Sequence, residues 1–367
     1  MATACSKNAA ARAGSVVVCG VESFALGLSG GRSMHFQFSL RGAAAAIRAS
    51  YAPDTGAVYS ISRMTRILGT IVAGLVGLAF GSFLNVCLSR WPTGEGIVHP
   101  RSHCRSCGRT LAWWENVPLA SWLFLRGRCR SCRAWIGWRY PLVELAVGAL
   151  WASVAWQNTE LLFAYFREPS IFIYYPLNRL VSGMAFSWLL VALATLDAEN
   201  LWLPNSITIP GIILGLLLDT AEAVVSAISP WDNPVHATLS FMVLRVVGHE
   251  IILRTLAILA AAGLILLLRW IYWLIRHREG IGLGDAKLMA MLAAWLGLPG
   301  ALVAFGLGVV LGAIAALVLL VLPSTRKSSE GWAHIKLPLG TFLCVGGIVS
   351  SLWGERIIDA YLRWAGF

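Results

Sequence analysis

The stretch EGIGLGDAKLMAMLAAWLG, residues 279–297, joins a glycine-rich turn to an apolar run. Gly282, Gly284 and Asp285 lie at the entrance of this run, and only Lys287 follows as a charged residue. The run predicts a membrane helix, where an ionisable group is costly and usually functional. The simpler interpretation is that Asp285 caps the N-terminus of the helix. The glycines predict a tight turn or a close approach of another segment.

The composition places this helix in a membrane protein. Of the 367 residues, 57% are hydrophobic and 13% are charged, whereas a soluble domain carries about 25% charged residues. Several apolar runs reach the roughly 20 residues that cross a bilayer, although the sixth is short. We therefore predict an all-α polytopic membrane protein of about eight transmembrane helices. The predicted spans are about 67–88, 141–157, 181–200, 205–228, 255–275, 286–298, 300–322 and 337–353.

These runs divide the chain into four predicted regions. Residues 1–63 lack a clear span or signal-peptide pattern, so we expect a disordered extension or a translation start at Met64. Residues 64–88 form the first transmembrane helix, and residues 89–140 form a cytoplasmic loop. Residues 141–367 form the remaining membrane domain.

Basic residues set the predicted orientation. Arginine and lysine concentrate in the loops 89–140, 269–287 and 323–336, which fall on one side of the membrane if eight spans alternate. Cytoplasmic loops are enriched in these residues, so this side, with Asp197 and Asp285, is predicted to face the cytoplasm. The same rule explains the net charge of +11, so the expected partner is the lipid bilayer and not nucleic acid.

Four of the eight cysteines form two Cys-x-x-Cys pairs separated by a spacer of 21 residues. Cys104 and Cys107 form the first pair, and Cys129 and Cys132 form the second. Two such pairs predict a tetrahedral four-thiolate Zn²⁺ site, and the ion is expected to be structural because protein fills all four positions. Disulfides or redox dithiols are the alternative, which the predicted cytoplasmic placement disfavours.

Asp197 ends a second apolar run, in the segment LATLDAENLWLP, residues 193–204. Taken alone, this residue is typical of a helix end that meets water. Two aspartates at one membrane face favour a further interpretation, because in a close pair one carboxyl holds a proton while the other is anionic. Such a pair can activate water for attack on a peptide carbonyl and protonate the carbonyl oxygen, as in aspartic proteases.

The chain resembles the bacterial type IV prepilin peptidases, which are bifunctional leader peptidases and N-methyltransferases within the GxGD group of intramembrane aspartyl proteases. The resemblance covers about residues 67–353 and rests on several motifs in the family's order. They are GSFLNVCLSRWP (81–92), the four-cysteine loop, WRYPLVEL (138–145), Asp197 followed by Leu203-Pro204, GIGLGDAKL (280–288) and KLPLGTFL (336–343). Two departures are Asn205, where many relatives have aspartate, and KLPLG, which replaces a Pro-Phe-Gly motif.

The resemblance implies a catalytic pair, Asp197 and Asp285, supported by Gly282, Gly284 and Lys287. It implies cleavage of the leader of type IV prepilins, or of type II secretion pseudopilins, after a glycine. The reaction would take place at the cytoplasmic face of the bacterial inner membrane.

The resemblance also implies a zinc site at the four cysteines and a second activity. This activity is N-methylation of the new amino terminus, with S-adenosylmethionine as the methyl donor. Glu115, Asn116 and Glu144 lie in family-like segments and are candidates for methyl transfer or docking. The alternative is that they make structural polar contacts.

Two other functions stay open at the level of sequence. A membrane transporter could use Asp197 and Asp285 as proton or cation sites, although it would leave the zinc loop unexplained. A peptidase without methyl transfer is the narrower alternative, and the complete four-cysteine loop favours the bifunctional enzyme.

Overall fold

The computed structural model describes residues 56–99, 101–167, 174–228, 239–278, 280, 282–321 and 337–366. Within these ranges the chain is helical, with a short 3-10 helix at Trp113–Asn116 and only isolated β-bridges. The α-helices are α1 (Gly56–Arg90), α2 (Ala120–Phe124), α3 (Arg139–Arg167), α4 (Tyr174–Asn200), α5 (Asn205–Ile228), α6 (Leu239–Arg276), α7 (Leu283–Val321) and α8 (Leu339–Trp364). The predicted all-α fold is confirmed.

Six of the described helices, α1 and α4 to α8, are long and apolar enough to cross a membrane. The predicted span 141–157 lies in α3, which is outside this set of six. The predicted spans 286–298 and 300–322 both lie in α7, which bends where Gly297 takes a φ of 70°. The transmembrane character is therefore confirmed, whereas the count of eight stays a prediction.

Several helices extend beyond the predicted spans. α3 continues to Arg167, and α6 begins at Leu239, so both helices are longer than the predicted spans 141–157 and 255–275. The added segments of these two helices contain no proline, and a single glycine, Gly248, costs only about 1 kcal/mol relative to alanine inside a helix. The prediction for residues 1–63 stays a prediction, because residues 1–55 lie outside the described part of the chain.

The first half of α7 forms the centre of the bundle. Every residue from Leu288 to Ala294 is buried, so this segment packs on all sides and not along one stripe. Its end is held by Trp295, whose indole N–H donates to the Gly211 carbonyl of α5 at 2.8 Å. The ring of Phe186 from α4 stacks on the same indole at 4.9 Å. This central position explains why the stretch is apolar on every face.

Leu292 tests the importance of this centre, because its side chain is fully buried. Leu292→Ala is expected to lower the free energy of unfolding by about 2–5 kcal/mol, since the cavity removes packing contacts that lipid does not replace. Thermal unfolding of the purified protein in detergent measures the loss. The matched control is Leu317→Ala on the same helix, where the side chain is 61% exposed and little change is expected.

Candidate active site and metal centre

Asp285 lies in the first turn of α7, and its side chain is buried. Because the helix begins at Leu283, Asp285 is the third residue of the helix and not the N-cap residue that precedes its first turn. Its Oδ2 atom accepts a hydrogen bond from the backbone N–H of Gly282 at 3.2 Å. An acidic residue at the third position commonly reaches back in this way. The simple capping interpretation is thus corrected in its geometry: the carboxylate does satisfy a helix-end donor, but from inside the first turn.

Asp197 lies in the last turn of α4 and is buried as well. Its Oδ2 atom accepts the backbone N–H of Thr341 at 2.7 Å, and the hydroxyl of Thr341 lies 3.2 Å from the same atom. Thr341 belongs to the first turn of α8, where backbone N–H groups have no intrahelical partner. The N-terminus of α8 therefore holds the carboxylate of Asp197 by hydrogen bonds and by its dipole.

The two aspartates belong to one site, because their carboxylates lie within electrostatic range of each other. Leu203 lies close to two glycines, Gly284 near Asp285 and Gly340 near Asp197. A Cβ added to Gly284 would lie 3.1 Å from the Cβ of Leu203, and one added to Gly340 would lie 3.0 Å from its Cδ1 atom. The latter Cβ would also lie 2.9 Å from Asp197 Oδ2. Both glycines therefore allow the close approach that forms the site.

Two further side chains connect this site to its surroundings. Cys344 of α8 is fully buried and interacts electrostatically with both aspartates. Lys287, predicted to support catalysis, donates from Nζ to Asn205 Oδ1 at 2.6 Å. This bond joins the start of α7 to the start of α5, so Lys287 contributes to the position of the helix that carries Asp285. Asn205, the departure noted in the sequence, is the acceptor of that bond.

The four cysteines of the two pairs come together as the spacing predicts. Their Sγ atoms all lie within 4.8 Å of one another, and those of Cys104 and Cys132 are 3.8 Å apart. Zn–S bonds of about 2.3 Å place the sulfurs of a tetrahedral site about 3.8 Å apart. Backbone N–H groups of Cys132 and Ser131 lower the pKa of the Cys129 thiol to about 6, which favours the thiolate form. The residues present fit a four-thiolate zinc ion.

Each cysteine pair is closed by backbone hydrogen bonds and a left-handed residue. The N–H of Cys104 donates to the carbonyl of Arg109, and that of Cys129 donates to Ala134, both at 2.9 Å. The residue after each pair has a positive φ, 72° at Gly108 and 60° at Arg133. Glycine adopts this conformation without strain, whereas arginine does so at a cost. The two halves of the loop therefore share one fold despite the different residue types.

The three candidates for methyl transfer have different surroundings. Glu115 is buried, with one oxygen 2.5 Å from Arg109 and the other accepting the N–H of Ala112 at 2.7 Å. Burial alone would raise the pKa of Glu115, but these donors outweigh it and lower the pKa below its usual value. Asn116 is exposed.

Glu144 is the third candidate, and it joins the loop to the membrane helices. Its Oε2 atom accepts the N–H of Leu119, the residue before α2, at 2.7 Å. Glu115 and Glu144 therefore both make structural contacts, and the methyl-transfer roles of all three residues stay predictions.

Sequence reasoning missed three residues of the aspartate site: Leu203 as a shared contact, Thr341 as a donor, and Cys344. Leu203 belongs to the Leu203-Pro204 motif, Thr341 belongs to KLPLGTFL, and Cys344 directly follows that motif. The motifs were recognised, but the contacts of these three residues were not predicted. The motif KLPLGTFL contains Thr341, yet nothing in its sequence shows that it lies against Asp197, 144 residues earlier. Only the packing of α8 against α4 reveals that contact.

Comparison with known proteins identifies the group to which this arrangement belongs. The profile of the bacterial peptidase A24 N-terminal domain matches residues 75–158, and that of the type IV leader peptidase family matches residues 184–317. A prepilin leader peptidase/N-methyltransferase of Stutzerimonas stutzeri is 30% identical over 319 residues, which cover 80% of this chain and 94% of that protein. The chain belongs to the type IV leader peptidase family.

Other relatives in this family carry the same description. That of Pseudomonas aeruginosa is 30% identical over 316 residues, 80% of this chain and 93% of its own length. That of Aeromonas hydrophila is 31% identical over 314 residues, 78% and 92% of the two chains. The comparison with solved structures gave no match. The two matched segments include the four cysteines and both aspartates, whereas Gly340, Thr341 and Cys344 lie beyond them.

Metal analysis tests the zinc centre. We expect Cys129→Ala to lose the bound zinc, because three thiolates leave one position of the tetrahedron without a protein ligand. Cys87→Ala is the control, since Cys87 is a buried free cysteine of α1 outside the cluster. Zinc per chain is measured by elemental mass spectrometry on purified protein. Equal zinc content in the two variants would contradict the assignment.

Proposed function

We propose that this protein cleaves the leader peptide of type IV prepilins or of type II secretion pseudopilins and N-methylates the new amino terminus. The main support is the pair of buried carboxylates, Asp197 and Asp285, which share one site within the segment matched by the leader peptidase family. The names of the relatives, prepilin leader peptidase/N-methyltransferase, support both activities.

In the proposed cleavage step, the two aspartates hold one water against the peptide carbonyl. The ionised carboxyl accepts a proton from that water as the oxygen attacks, and the protonated carboxyl donates to the carbonyl oxygen. The tetrahedral intermediate then collapses as the peptide C–N bond breaks. The first carboxyl gives its proton to the leaving amine, and a hydroxyl of the intermediate returns one to the second carboxylate. Assignment of the proton to one residue is not needed, because a close pair titrates as a unit. Thr341 and Gly282 keep the two carboxyl groups in place through their backbone N–H groups.

The position of the site suits a substrate whose scissile bond lies at a membrane boundary. Asp197 is near the end of α4, and Asp285 is near the start of α7, so both lie at the ends of membrane-spanning helices. The basic loops of the sequence support a boundary on the cytoplasmic side, and the inner membrane is part of the proposal. A substrate with an apolar helix in the bilayer and a leader in the cytoplasm would present the peptide bond at this depth.

The zinc loop has a structural role in this proposal. Cys104, Cys107, Cys129 and Cys132 would hold Zn²⁺, which joins the two halves of a loop that has few other buried residues. The hydrogen bond from Leu119 to Glu144 then connects this loop to α3. We assign the loop no step in peptide cleavage.

The methyl-transfer activity is proposed from the relatives, with S-adenosylmethionine as the donor. Glu115, Asn116 and Glu144 stay candidates for this activity because they lie in or beside the zinc loop. The two glutamates already accept hydrogen bonds from the protein itself. A substitution at either glutamate would therefore change the structure of the loop as well as any contact with the methyl donor.

A cleavage assay with reconstituted prepilin tests the aspartate pair. Asp197→Asn and Asp285→Asn preserve the shape of each side chain but remove its ability to accept and donate a proton in the reaction. Each is expected to lower kcat at least about a thousandfold. Asp359→Asn, at an exposed position of α8, is the control and should cleave normally. Full cleavage by either of the first two variants would exclude the aspartyl mechanism, and ion transport without cleavage would favour the transporter.

The mass of the mature substrate tests the second activity. After cleavage in the presence of S-adenosylmethionine, the new amino terminus should carry one added methyl group. Asp285→Asn should give neither product, because the amine that accepts the methyl group forms only after cleavage. A cleaved substrate without the added methyl group would show that the protein is a peptidase without methyltransferase activity.

A further inference from the structure

An apolar groove opens between α6, the second half of α7 and the start of α8. One wall is a face of α6 that runs from Ile265 to Ile275, and the other contains Phe305 and Val309 of α7. Leu339, the first residue of α8, also lines it. The groove has a volume of about 420 Å³, and none of its lining residues is charged.

The groove exists because the last turns of α6 leave the bundle. Ile265 is fully buried, whereas every residue from Trp270 to Arg276 is exposed. These exposed turns are apolar around the helix up to Ile275, so much of their apolar surface is left uncovered by the described part of the protein. The wall from Ile265 to Ile275 is about 15 Å long at a rise of 1.5 Å per residue.

Two residues that line the groove, Leu339 and Tyr272, adjoin segments that lie close to the aspartates. Leu339 precedes Gly340, and a Cβ on Gly340 would lie 2.9 Å from Asp197 Oδ2. On the other wall, the ring of Tyr272 packs against Gly280, which begins the glycine-rich turn leading to Asp285. The groove therefore lies beside segments that adjoin both aspartates. This position favours a substrate, and not lipid alone, as the occupant of the groove.

We propose that this groove binds the apolar helix that follows the cleavage site of the substrate. The proposal rests on the proposed function, because only a membrane-anchored substrate has such a helix. An uncharged concave wall suits helix association in a bilayer, which depends on close van der Waals packing. If the substrate helix begins near Leu339, the extended segment that precedes it in the substrate, which contains the cleavage site, would lie beside Gly340 and Asp197. A lipid chain is the alternative occupant.

Photo-crosslinking distinguishes the two occupants. A benzophenone-bearing phenylalanine is placed at Phe305 in the groove, and in a control protein at Trp273, which lies on another side of α6. Both proteins are reconstituted with full-length prepilin in the Asp285→Asn background, so that the substrate stays uncleaved. We expect adducts with the prepilin helix from position 305 and lipid adducts from position 273. Lipid alone at 305, or equal prepilin adducts at both, would overturn the proposal.

Cleavage by the wild-type protein is measured alongside, which separates the two proposals. If prepilin is cleaved but position 305 gives no preferential adduct, the groove assignment fails and the proposed function stands. If prepilin is not cleaved, both fail.

Kinetics give an independent test that does not depend on the crosslinker. Val309→Trp fills the groove and is expected to raise the KM for full-length prepilin about tenfold with little change in kcat, because the catalytic pair is not altered. Val318→Trp is the matched control on the same helix, where the side chain is 53% exposed and outside the groove. An unchanged KM for Val309→Trp, or an equal rise for both variants, would contradict the proposal. Zinc content and unfolding temperature check that both variants are folded.

Discussion

Carboxylates can be buried among apolar helices only where hydrogen-bond donors meet them, and in this protein the donors are backbone N–H groups at helix N-termini. Thr341 at the start of α8 donates to Asp197, and Gly282 just before α7 donates to Asp285. The first N–H groups of a helix have no intrahelical acceptor, so each aspartate accepts a hydrogen bond from a donor that would otherwise be unpaired within its helix. The geometry of the pair therefore depends on how α7 and α8 pack, and not on the conformations of the two side chains alone.

The zinc loop and the membrane bundle use different sources of stability, and hydrogen bonds at Glu144 and Ser89 join them. The loop relies on four cysteines and on short backbone contacts around them. The bundle relies on the fully buried first half of α7. Glu144 belongs to α3, and the Ser89 carbonyl of α1 accepts a hydrogen bond from Arg105 of the loop at 3.0 Å. The loop is therefore bonded to two helices other than α7, which forms the centre of the bundle.

The sequence predicted the parts of this structure that depend on local pattern. The spacing of the cysteines predicted their cluster, and the apolar runs predicted the helical membrane fold. The two aspartates were paired by their common position at one membrane face, and the structure places them in one site. Contacts that depend on tertiary packing were out of reach: Leu203 between two glycines, Thr341 on Asp197, and the groove beside α6. α3 and α6 continue beyond the predicted spans, because hydropathy marks the membrane-crossing part of a helix while helical backbone structure can continue past it.

The dependence of Asp197 on Thr341 has a consequence for biosynthesis. Asp197 and Asp285 both leave the ribosome before residue 339, where the helix that holds Asp197 begins. A nascent chain that has inserted α4 and α7 therefore contains both carboxylates but lacks the donors of α8. The site reaches its final arrangement only when the last described helix joins the bundle. The site is thus delayed until α8 has been made, and a chain truncated before α8 retains the two aspartates without the support that positions them.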